Sequence, residues 1–260
     1  MRHPARYIGA FALAGAMLAR APAPALAQSA AIDTAAMNAL SRMGNYLMTL
    51  RNFQVNAQVT TEKVLENGEK VQEQNEVDLV ASRPNRLRLT LEGDRQQRLL
   101  LYDGTTFTVF APRQKYYASE SAPGTIAELA DVLEDRFDLE LPMVDLFRWG
   151  TPEAQTAAIT SAKVIGPSPV DGITCMHYAF RQAGLDWQVW IQSGDYPLPR
   201  RVVLTTTTDD ARPQHQSNYT WNLAPSFNDA AFAFVPPPDA KRITFAQAQA
   251  ARRANPEGGN

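Results

Sequence analysis

Cysteine is almost absent from this chain: Cys175 stands alone among 260 residues. A single thiol closes no intramolecular disulfide and supplies no cysteine pair for a metal. Histidine is nearly as scarce, with only His3, His177 and His215. The motifs that announce catalysis by their spacing are missing as well. There is no G-x-S-x-G elbow, no H-E-x-x-H and no glycine-rich phosphate loop. Beyond the N-terminal region no stretch approaches the ~18 consecutive apolar residues of a spanning helix. Nor is there a basic stripe: 25 Lys and Arg against 27 Asp and Glu leave a formal net charge of −2, which argues against a nucleic-acid partner.

What is present begins with an export signal. Arg2, His3 and Arg6 form a positive start, Tyr7 to Leu18 an apolar run, and Ala25-Leu26-Ala27 a small-x-small cleavage site. Residues 1–27 are therefore expected to be removed after Ala27. No cysteine stands at that site to carry a lipid anchor, so an exported, soluble chain is expected. The segment holds three arginines and no acid, so its loss takes the formal charge from −2 to −5. Residues 28–245 suffice for one domain with a sizeable core. Residues 246–260, AQAQAARRANPEGGN, are small and polar and read as a frayed helix or flexible tail.

The organising stretch is VDGITCMHYAFRQAGLDWQVWIQSGDYPLPRRVVLT, residues 170–205. It reads as three consecutive strands, Ile173 to Arg181, Leu185 to Gln192 and Arg200 to about Thr208, joined by glycine-containing turns. In the second strand Leu185, Trp187, Val189 and Ile191 point one way, and Asp186, Gln188 and Gln192 the other. Such period-two alternation gives a sheet one dry face and one wet face. Trp190 breaks the pattern by placing a large ring on the wet side.

The same alternation fills most of the chain. Phe53 to Leu65 and Glu69 to Ala81 are two long strands joined by an Asn67-Gly68 hairpin. A meander of shorter strands follows, through Leu87, Leu89 and Leu91 to Ala118. Ile32 to Leu50 has helical spacing with Asp33 as N-cap, weakened slightly by Gly44. Ile126 to Phe137 is a second helix, and Leu141-Pro142 begins a short third one rich in apolar residues. Thr156 to Ile165 returns to β-structure, and Gln214 to Leu223 is a late strand. These elements predict an α+β domain: a strongly curved antiparallel sheet of about 11 strands with helices covering its concave apolar face.

Chemistry is sparse. Cys175 and His177 are two apart on one strand and could form a nucleophile pair, but a buried thiol and a half-buried imidazole among Ile173, Met176 and Phe180 explain them better. Asp131, Glu134, Asp135, Asp138 and Glu140 lack the spacing and glycine of a calcium loop, so a solvated helix face is expected and no metal site. Arg200-Arg201, with Arg86 and Arg88, could form a basic rim for an anionic head group or an acidic partner; exposed strand arginines are the plainer account. No catalytic residue and no cofactor is expected.

Several strings together resemble a known family. They are Tyr102-Asp103-Gly104, Arg83-Pro84 with Arg86-Leu87, Gly124-Thr125-Ile126, Leu141-Pro142, Val170-Asp171-Gly172 with Cys175-Met176-His177, Asp186-Trp187-Gln188-Val189-Trp190, and Pro197-Leu198-Pro199-Arg200-Arg201. From about Asp33 to Phe245 the chain resembles an uncharacterised family of predicted bacterial periplasmic proteins. At fold level it is similar to the lipoprotein-carrier superfamily of LolA, LolB, LppX-type carriers and the lipid-sensing domain of RseB. Phe232-Ala233-Phe234-Val235-Pro236-Pro237 looks like that superfamily's closing strand. The resemblance implies a half-barrel over an apolar cavity, a periplasmic location, and carriage or sensing of a lipid or lipoprotein acyl chain. Its alternative is an envelope protein-interaction or stress-signalling module that docks a membrane protein. With alternation deciding which side chains face inward, the expected lining is Val55, Val77, Leu89, Leu100, Phe107, Trp187 and Val189 from the sheet. Leu129, Leu133 and Phe147 join them from the helices.

Overall fold

The computed structural model describes residues 32–122 and 124–254; the expected export signal lies outside them. The chain opens with α1 (Thr34–Thr49), whose first turn is capped by the Asp33 carboxylate accepting from Ala35 N–H at 2.8 Å. Strands β1 (Asn52–Val64) and β2 (Lys70–Ser82) form the long hairpin, and β3 (Arg86–Gly93), β4 (Gln97–Tyr102), β5 (Thr106–Ala111) and β6 (Tyr116–Ser121) extend it as a meander. Helices α2 (Ile126–Phe137) and α3 (Asp145–Arg148) interrupt the strands. A second meander follows: β7 (Ser161–Pro167), β8 (Cys175–Gln182), β9 (Leu185–Gln192), β10 (Pro199–Thr206) and β11 (Gln214–Asn222). A two-residue strand β12 (Lys241–Arg242) and α4 (Phe245–Ala254) end it.

The two meanders join where β11 pairs with β1, so all the strands make one sheet of order β12-β6-β5-β4-β3-β2-β1-β11-β10-β9-β8-β7. It is a strongly curved half-barrel that does not close. Antiparallel partners share a face, so register decides which residues look inward. Val55 faces Leu79 across β2 and Trp221 across β11, and Leu79 faces Leu89. These inward residues, with the buried stripes of α1 and α2, form one continuous core.

Four details differ from the sequence reading. The count is twelve rather than about eleven, because Lys241–Arg242 adds a short parallel strand on β6. Residues Thr156–Ala158 form a 3₁₀ turn, and strand β7 starts only at Ser161. Phe232 to Pro237 is not a closing strand: a 3₁₀ turn at Asp229–Phe232 leads into an extended arm, where the three consecutive prolines cannot donate to a ladder. Gly44 is no weak point. A Cβ there would stand 2.5 Å from the Gly150 backbone nitrogen, so the glycine seats one backbone against another where α1 meets the turn after α3.

Candidate functional site

The helices reach the inner face by well-determined routes. A capping box starts α2: Glu128 N–H donates to Thr125 Oγ1 at 3.2 Å, and Thr125 N–H donates to the Glu128 carboxylate at 2.6 Å. Its stripe of Ile126, Leu129, Leu133 and Phe137 then lies on the sheet, where Phe137 meets Phe107 edge-on at 5.5 Å. Helix α4 closes over the same place: Phe245 packs on Phe137 at 4.5 Å, and Gln249 donates to the Phe137 carbonyl at 2.9 Å.

Arg83 fastens α3. Its guanidinium donates to the Leu146 carbonyl at 2.8 Å and lies 4.9 Å from the Phe147 ring centroid and 5.9 Å from that of Phe53. Burial among those rings pushes its pKa down, and its Nε is buried without a hydrogen-bond partner.

All ten residues expected to line a cavity fall in this one buried cluster. Val55, Phe107 and Val189 keep none of their surface, and Leu129, Leu133 and Phe147 keep 1 %. A side chain bordering a water-sized void would retain more, so here the helices fill the half-barrel with their own side chains.

The filling gives out toward the far end of the β1–β2 hairpin. Past Val59, residues 60–64 of β1 are only half-buried. Leu91 and Leu204 on the sheet, and Leu139 and Met143 on the α2–α3 connection, are likewise partly exposed apolar side chains beside the core. A polar line runs along the floor. His215 is held between two hydroxyls, Thr61 Oγ1 at 2.9 Å from Nδ1 and Ser217 Oγ at 3.2 Å from Nε2. Desolvation lowers the His215 pKa and keeps the ring neutral. Four residues along β11, burial raises the Tyr219 hydroxyl far above its ordinary value, with the Asp145 charge adding to the shift. Asp145 itself keeps exposed surface, yet desolvation pushes its carboxyl up while Arg148 pulls it back. Lys63 on β1 and Glu73 on β2 pair at 2.8 Å. The clue in the sequence was the weakening of alternation in Thr60-Thr61-Glu62-Lys63; the pairing with His215, 154 residues away, leaves no local mark.

The Cys175–His177 pair points to the outer face and forms no dyad. Cys175 is fully buried beside Val170, Trp190 and Val203, not Met176 and Phe180, and donates to the Ile173 carbonyl at 3.4 Å. Burial pushes the thiol up, away from thiolate. His177 stacks on Trp190 at 3.8 Å and 8° and bonds Gln188 at 2.9 Å. Trp190, expected on the wet side, is thus covered, with Arg201 over the ring at 5.5 Å. The four arginines do not make one rim. Arg200 bonds Gln192, Arg201 bonds Asn218, and Arg86 pairs with Asp229. Asp131 pairs with Arg148 at 2.7 Å. Among the described residues no group of three His, Cys, Asp or Glu side chains is placed to hold a metal ion, and no helix is long and apolar enough to cross a membrane.

Solved structures are similar to this chain at low identity. An uncharacterized conserved protein from Thermus thermophilus is similar over 81% of this chain and 99% of its own, at 11% identity and TM-score 0.48. A chain of the Pseudomonas aeruginosa MucA/MucB complex is similar over 77% of this chain and 61% of its own, at 16% and 0.44. The Mycobacterium tuberculosis lipoprotein LppX is similar over 75% of this chain and all of its own (100%), at 12% and 0.38. Likeness at this level bears on no activity. None of the curated proteins matches the sequence. Residues 36–246 match the family described as predicted periplasmic protein (DUF2092), and the chain belongs to that family.

Proposed function

We propose that this protein is a non-catalytic periplasmic carrier or sensor that holds an acyl chain of a lipid or lipoprotein against the inner face of its sheet. One observation carries the reading: the helices cover that face solidly around Phe107, Leu129 and Phe147 but stop short of Leu91 and Leu204. An acyl chain seated there gains about 0.8 kcal/mol per buried CH₂, so affinity rises with the number of methylenes matched. His215, kept neutral by burial and paired with Leu204 across β10 and β11, suits the uncharged end of such a ligand. A family described as periplasmic supports the location, where an acyl chain needs shelter from water. Native mass spectrometry of protein taken from its own periplasm, followed by lipid extraction, tests the reading. Bound lipid is expected, and Leu204→Trp should reduce it. Lipid-free protein that takes up none from phospholipid vesicles would end the proposal.

The solid packing of the remaining inner face favours a second reading, an envelope module that docks a membrane protein through its surface. Its mark is capture of an inner-membrane protein that added lipid leaves unchanged.

A further inference from the structure

On the outer face, opposite the proposed acyl site, the arm that replaces the expected closing strand makes a groove of about 260 Å³. Leu99, Leu101 and Phe110 form its floor, and Ala231, Phe234 and Val235 belong to the arm that walls it. The arm is fixed at both ends of this wall. Asp229 pairs with Arg86 before it, and Phe234 packs on Phe110 at 5.6 Å and on Tyr117 at 4.9 Å. Val235 nevertheless leaves 82 % of its surface open. Arg88 is the one charged side chain of the lining; it is exposed, and among the described residues its guanidinium has no carboxylate or carbonyl partner. Its neighbours across the strands are Val80 and Leu101, which offer it none.

We propose that this groove binds a compact aryl carboxylate, its rings on Leu101, Phe110 and Phe234 and its carboxylate on Arg88. Size and charge both point there. An apolar cavity of about 150 Å³ takes up benzene, so this groove accommodates a two-ring body. A planar guanidinium beside apolar surface matches a carboxylate in two-point fashion. The site is independent of the inner-face proposal, since β3, β4 and β5 separate the two.

Calorimetric titration of the full chain with 2-naphthoate tests this, with 2-naphthalenemethanol as the uncharged counterpart. One equivalent of naphthoate should bind. The alcohol and Arg88→Gln should each weaken binding about tenfold. Ala231→Trp, which fills the groove, should abolish it, while Leu204→Trp on the inner face should leave it unchanged. Matching melting curves show that the variants fold. The proposal is overturned if naphthoate does not bind, if Arg88→Gln and Ala231→Trp bind it like the parent, or if Leu204→Trp loses it. Binding of an acidic peptide in place of naphthoate would likewise overturn it and make the groove a protein contact.

Discussion

Replacing Arg83 separates the work of its charge from that of its stem. In Arg83→Ala the Leu146 carbonyl loses a charge-assisted donor, worth about 1.5–3 kcal/mol. The Phe147 and Phe53 rings lose a cation, at about 0.5–2 kcal/mol. Truncation also leaves a hole under α3. Against this stands relief from burying a guanidinium with an unpartnered Nε, whose lowered pKa records the desolvation. The net expectation is a loss of about 2–4 kcal/mol. Arg83→Met makes the same exchange of donor and cation for relief from desolvation but fills the hole with its apolar stem, so it should cost about 2 kcal/mol less than alanine. Urea unfolding reads the difference as a lower midpoint at unchanged slope. Hydrogen exchange should quicken at the α3 amides in the alanine variant before it does elsewhere. An alanine variant within about 0.5 kcal/mol of the parent would refute this reasoning. So would a methionine variant as unstable as alanine.

Three further perturbations follow the same logic. Gly44→Ala should destabilise by about 2 kcal/mol or more in thermal melts, although alanine gains about 1 kcal/mol in helix propensity, because its methyl meets the Gly150 backbone. Unfolded histidine titrates near 6.5 while folded His215 sits lower, so the unfolded chain binds the extra proton as pH falls below that value. Stability should therefore drop on acidification until the folded ring titrates too, and His215→Asn should show a shallower drop between about pH 6.5 and 5 in urea midpoints. Cys175 should resist a maleimide at neutral pH until the chain unfolds; prompt labelling of native protein would contradict its burial.

The half-barrel was legible because its evidence is local. Leu185 to Gln192 alternates, Asn67-Gly68 turns, and Asp33 caps, each within a few residues. What depends on distant partners was not. Trp190 reads as a misplaced ring until Val170 and Val203 arrive to bury it and His177 to stack on it. Gly44 reads as a flaw in a helix until Gly150 is laid against it. The apolar run at Phe232 to Val235 looks like one more strand, and only the position of Phe110 shows it lying across the sheet instead. The inner-face residues were picked by alternation alone, which reports the face but not the place where the helices stop. His215 escaped notice because Thr61, its partner 154 residues away, reaches it only through the β1–β11 pairing.

The stretch from the arm to α4 turns the rim of the sheet, from the arm outside, past β12 on the edge of β6, to Phe245 inside. A protein shortened at Ala240 would thus lose two protections at once. The backbone of β6 would be open to stacking by another molecule, and Phe107 and Phe137 would meet water. Such a product should gather into clumps while keeping most of its strands, and affinity tags belong beyond Ala254 rather than in place of what precedes it.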